Sequence, residues 1–115
     1  MQYILISYDI LQLKGFSLNE KVIYSLIKNE SNITTDKRYY KGLKWLAKAT
    51  TLSLATIKRT IRELALKRVL YIEYRNNQTC ILQVLPVRNA YLGISDKLST
   101  DDIITLFNRC YNKLK

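Results

Sequence analysis

Apolar positions recur at helical spacing in four stretches of the chain, and they alternate with polar ones in two short runs between the third and fourth. Ser17-Leu18-Asn19-Glu20 is a capping box: the serine oxygen accepts from the amide three residues on, and the glutamate reaches back to the serine amide. Val22, Ile23, Leu26 and Ile27 follow, predicting a first helix over about 18–29. Before it, the β-branched and aromatic residues Tyr3, Ile4, Leu5 and Ile6 predict a short strand. After it, the polar residues 30–37 read as a loop.

A second helix is predicted over about 43–49, burying Leu43, Leu46 and Ala47 and half-covering Trp45. Thr50-Thr51-Leu52 forms a turn, and Ser53 caps a third helix over about 54–67. Ile57, Ile61 and Leu64 line its inner face. Its outer face is Ala55, Arg59, Arg62 and Leu66, flanked by Thr56 and Lys58. Leu70, Ile72 and Tyr74 share one face of a strand, as do Cys80, Leu82 and Val84 of the next. Between them, Arg75-Asn76-Asn77-Gln78 has hairpin-turn chemistry, because Asn tolerates the left-handed conformation. Pro86 ends the second strand, and 87–95 form a connection. Ser99-Thr100-Asp101-Asp102 opens a last helix whose stripe of Ile103, Ile104, Phe107, Cys110/Tyr111 and Leu114 is either core or a dimer interface.

Composition narrows the chemistry. The chain has 115 residues, 48% of them apolar, enough for one domain with its own core. It contains no histidine, which removes Ser-His-Asp and Cys-His nucleophiles, imidazole bases and histidine-ligated metals. No carboxylate cluster serves the nine tyrosines, so the expectation is a binding protein and not an enzyme, with no catalytic residue, metal or cofactor. Cys80 and Cys110 lie 30 positions apart without a CxxC, and read as two reduced thiols of a cytoplasmic protein. The first ten residues lack a basic lead and carry Asp9 within an apolar stretch, unlike a signal peptide. No apolar run is long enough to span a bilayer, so no membrane partner is expected.

The net charge is +10, and its distribution is uneven. Residues 1–36 are close to neutral, whereas residues 37–75 hold eleven Lys and Arg against only Glu63 and Glu73. Such one-sided density is self-repelling until a polyanion neutralises it, and nucleic acid is the foremost polyanion.

The order of helix, helix, tight turn, helix with a basic outer face, then a hairpin with a polar basic tip is that of a winged helix-turn-helix, an α+β arrangement. Leu46-Ala47-Lys48, Leu52-Ser53, Thr56-Ile57, Arg59, Ile61 and Leu64, then Val69-Leu70 before the hairpin, resemble the winged helix-turn-helix domains of plasmid and phage proteins. Those include replication initiators, transcription regulators and relaxosome accessory proteins of conjugative plasmids. The similarity takes in the strand at 3–6 and the first helix, so it covers residues 3–86. Two positions depart from the pattern: Thr51 in the turn and Arg68 at the helix end stand where glycine is common.

The expected architecture is a three-helix bundle with a β-hairpin wing, a short N-terminal strand and a C-terminal helix. Residues 1–86 form the DNA-binding domain, and 87–115 a connection and helix belonging to that domain or to a dimer interface. The resemblance implies duplex DNA as partner. The third helix would enter the major groove with Ser53, Ala55, Thr56, Lys58, Arg59 and Arg62; arginine suits guanine O6/N7, and the small Ala55 and Thr56 suit a thymine methyl. Lys41, Lys44, Lys48 and Arg68 would contact phosphates. The wing residues Arg75, Asn76, Asn77 and Gln78 would reach the minor groove. Tyr39 and Tyr40 are further candidates for a backbone contact, and Leu66 for a contact with a protein. Conjugation, replication, partition and transcriptional regulation all fit such a reader, acting as a homodimer or within a DNA-processing complex. An RNA-binding module and a protein–protein adaptor on the same scaffold remain the alternatives.

Overall fold

In the computed structural model, which describes residues 6–74, 80–87 and 99–111, Ser17 and Glu20 start the longest helix as their spacing predicts. The Glu20 amide donates to Ser17 Oγ at 3.1 Å, and the Ser17 amide donates to Glu20 Oε1 at 3.0 Å. This helix (α2, Leu18–Ile33) is four residues longer than its apolar pattern indicates. Ser31, read as loop from its polarity, is buried, and its hydroxyl donates to the Ile27 carbonyl at 2.6 Å. The apolar stripe had ended, but an internally satisfied serine let the backbone continue.

A four-residue helix (α1, Tyr8–Leu11), capped by Ser7, precedes α2 and buries Ile10. It was not foreseen. The expected strand at 3–6 lies outside the described residues except for Ile6, which is not in a strand.

The next two helices are α3 (Gly42–Thr50) and α4 (Leu54–Leu66). Thr51 between them adopts the left-handed conformation, φ 62°, that the turn requires. The Thr56 amide donates to Ser53 Oγ at 3.1 Å, so Ser53 caps α4 as expected. Leu46 of α3 and Ile57, Ile61 and Leu64 of α4 are fully buried.

At its far end α4 closes in a Schellman motif: the Val69 amide donates to the Leu64 carbonyl and the Arg68 amide to the Ala65 carbonyl. Arg68 sits at its left-handed position, φ 67°, while Leu64 and Val69 enter the core together. Leu66, expected on the exposed outer side, is half-buried and packed against that core, because the chain folds back over this end of α4.

Strands β1 (Leu70–Tyr74) and β2 (Cys80–Val84) pair antiparallel, with Leu70 opposite Val84 and Ile72 opposite Leu82. A single residue adds a third rung: the Tyr39 amide donates to the Leu82 carbonyl at 2.7 Å, and the Leu82 amide returns to Tyr39 at 3.1 Å. The last helix (α5, Thr100–Tyr111) begins on a reciprocal bond pair between Ser99 and Asp102, each side chain accepting from the other's amide at 3.1 Å. It packs on α4 and β1 through Ile103 and Phe107. Its stripe is therefore core, with Ile104 left exposed; Leu114 lies outside the described residues.

The described chain is thus α+β, with one core gathering all five helices and the sheet. Cys110 is disulfide-bonded and not the free thiol that its isolation in sequence indicates. No helix among the described residues is long and apolar enough to cross a membrane.

Candidate functional site

The structure divides the basic block of residues 37–75 into cations that hold the fold and cations that face outward. Lys67, at the end of α4, reaches back across the molecule. Its ammonium donates to the Gly15 carbonyl at 2.6 Å, pairs with the buried Glu20 and lies over the Phe16 ring. Arg38 pairs with Glu73 of β1 at 3.2 Å, tying the approach to α3 onto the ribbon. Lys37 donates to the Asn32 carbonyl near the α2 C-terminus.

Lys41, expected among the phosphate contacts, pairs with Glu30 at 2.8 Å and lies 4.7 Å from the centre of the Trp45 ring. It links α2 to the start of α3, and its charge is partly spent there.

The outward group lies on α3 and α4. Lys44, Lys48, Lys58 and Arg59 pair with no acidic side chain among the described residues. Lys44 and Lys48, four residues apart, share a face of α3. On α4, Ser53, Ala55, Arg59 and Arg62 are exposed, and Lys58 and Thr56 are half-buried. Arg62 approaches Glu63 only at 3.8 Å, a loose surface pair of little energetic weight. Thr56 is less free than its small size indicates, for Ser53 Oγ donates to its hydroxyl oxygen at 3.0 Å. The first turn of α4 contains no acidic residue, so nothing offsets the positive end of the helix dipole there.

Arg68 does not join this group. It lies about 20 Å along the α4 axis from the leading turn, half-buried beside Leu70, Tyr71 and Ile103. Arg75, Asn76, Asn77 and Gln78 lie outside the described residues.

The two tyrosines before α3 separate. Tyr39, a candidate for a backbone contact in the sequence, is 1% exposed. Its hydroxyl donates to the Gly42 carbonyl at 2.6 Å, and burial, with the Glu30 charge nearby, pushes its pKa far above the ordinary tyrosine value. Tyr40 remains partly exposed and donates to Asp36, holding that carboxyl below its usual range.

A residue the pattern missed stands at the head of α4: Leu54 is 41% exposed. The signal was legible, since Leu54 directly follows the N-cap and falls outside the Ile57, Ile61 and Leu64 series.

A depression of about 410 Å³ lies between α1, α2 and the Pro86–Val87 stretch, with no lining residue from α3 or α4. Among the described residues no group of three or more Cys, Asp or Glu side chains is placed to hold a metal ion. What the geometry offers is a cationic, acid-free surface carried on two adjoining helices. Comparison with protein-family models, curated proteins and solved structures finds no match to this chain.

Proposed function

We propose that this protein is a non-enzymatic, sequence-specific reader of double-stranded DNA, built as a winged helix-turn-helix. In this reading α3, Thr51 and α4 form the helix-turn-helix, and β1 and β2 form the wing. The leading turn of α4 enters the major groove, Arg59 and Arg62 meet base edges, and Lys44, Lys48 and Lys58 meet phosphates. The wing tip at 75–78 reaches the neighbouring minor groove.

One observation supports the reading above the others: of the described cations in residues 37–75, the four that pair with no acidic side chain and bond to no backbone carbonyl, Lys44, Lys48, Lys58 and Arg59, lie on α3 and α4, near the exposed Ala55 and Arg62. A polyanion would relieve their mutual repulsion, and a helix presented end-first with small leading residues fits the major groove. The role that suits such a reader is an accessory factor of plasmid or phage type, in conjugation, replication or partition, or a transcriptional regulator.

The test is selection of bound fragments from a random duplex pool at near-physiological salt, with the Arg59→Ala/Arg62→Ala variant alongside. The expected result is an enriched motif that the variant loses. Three phosphate-contacting lysines would give a slope of log affinity against log salt of about −2.7. Preference for RNA, or no nucleic-acid binding at all, would overturn the proposal; the latter would turn attention to a protein partner.

A further inference from the structure

Of the large apolar side chains that the described residues leave exposed, Leu54 alone lies on α3 or α4. Its neighbours in sequence differ from it: Leu52 and Leu66 pack against the core, and Ile57 is fully buried. Leu54 is the first helical residue after the N-cap, beside exposed Ser53 and Ala55. At 100° per residue it falls on the flank of Lys58, one turn further along α4. Lys58 on that flank, and Lys44 and Lys48 on the adjoining α3, pair with no acidic side chain among the described residues. An aliphatic side chain held at the head of such a surface suits a partner that is polyanionic and also presents an apolar spot. The floor of the DNA major groove provides one, the C5-methyl group of thymine. Ala55 is too short to reach far, and Thr56 is half-buried.

Building on the DNA-reading proposal above, we infer that Leu54 is a specificity-determining residue that reads a pyrimidine 5-methyl group. The recognised site then contains a thymine at the position facing the head of α4. The same contact discriminates against RNA, whose uracil lacks the methyl group.

The experiment uses the full chain and a duplex from the selection. Each thymine is replaced singly by deoxyuridine, which removes the methyl group and keeps the base pair. Affinity is measured for the natural protein and for Leu54→Ala, with circular dichroism confirming that the variant is folded. The expected result is one position where deoxyuridine weakens the natural protein about fourfold, the worth of one buried methyl group, and leaves Leu54→Ala unchanged. Equal responses of both proteins at every thymine, with binding intact, would overturn the role of Leu54 while DNA reading stands. A site selected without thymine would do the same. Failure of both proteins to bind any duplex would overturn the DNA reading itself, and this inference with it.

Discussion

Thr51 and Arg68 hold left-handed backbone conformations at the ends of α3 and α4, where a Cβ is unwelcome. At Thr51 the penalty is open to measurement, because the side chain is exposed and, among the described residues, hydrogen-bonds only to the adjacent Thr50 carbonyl. Thr51→Gly is expected to raise stability by about 1 kcal/mol in urea unfolding, with the m-value unchanged. The opposite result is expected at Lys67. Its ammonium meets a buried carboxylate, a backbone carbonyl and an aromatic face, so Lys67→Ala leaves Glu20 held only by the Ser17 amide. A loss of about 2 kcal/mol is expected, since a charged hydrogen-bonding group would stay buried without its main partner. Neither role of a cation could be read from sequence. Lys67 and Lys58 look alike in a charge count, and only the return of the chain past Gly15 separates them. Tyr39 was misread for the same reason, its cover coming from residues distant in sequence.

Elements that declare their own ends were the legible ones. The starts of α2, α4 and α5 coincide with Ser17, Ser53 and Ser99, each with a side chain bonded to the amide three residues on. Ser17→Ala is accordingly expected to lower stability by about 1 kcal/mol, as measured by thermal or urea unfolding. Alternation made the two strands legible, but not the register that sets Leu70 opposite Val84 and Ile72 opposite Leu82. Elements whose apolar pattern is short or silent were missed, and the Ser7 cap of α1 did not compensate. Four residues with one buried side chain give α1 no periodicity to detect. The extension of α2 to Ile33 runs through Glu30, Ser31 and Asn32, where apolar spacing is silent and a buried serine bond sustains the helix. The outer face of α4 was legible at Ala55, Arg59 and Arg62, but Leu66 turned inward because the Schellman turn brings Val69 back over the same end.

At the scale of the whole molecule, the absence of histidine shapes the response to pH. Burial raises the pKa values of the Tyr24, Tyr39 and Tyr111 hydroxyls. Their unfolded counterparts ionise near pH 10, so the unfolded chain sheds protons that the native state retains. Stability from this source is complete below about pH 10 and falls as pH rises beyond it. Asp36, held low by its bond from Tyr40, works in the other direction: its contribution is present above the ordinary carboxylate range and fades as pH falls through the depressed value. A nearly level stability profile between about pH 5.5 and 9 is expected, bounded by an acid and an alkaline decline, and Asp36→Asn should flatten the acid side. Salt offers a complementary measurement. With a net charge of +10 and unpaired cations crowded on α3 and α4, the melting temperature of the free protein should rise with moderate sodium chloride.

Tyr39 joins the ribbon to the helices in a way that also governs how load travels. Its backbone clasps Leu82 in the middle of β2, and its hydroxyl clasps Gly42, the first residue of α3. A push on the ribbon is therefore delivered within one residue to the root of α3, with no slack segment between them. At Leu82 the paired strands are braced against the start of α3 and not hung from a free linker, so a force applied to β2 there is shared with the helices.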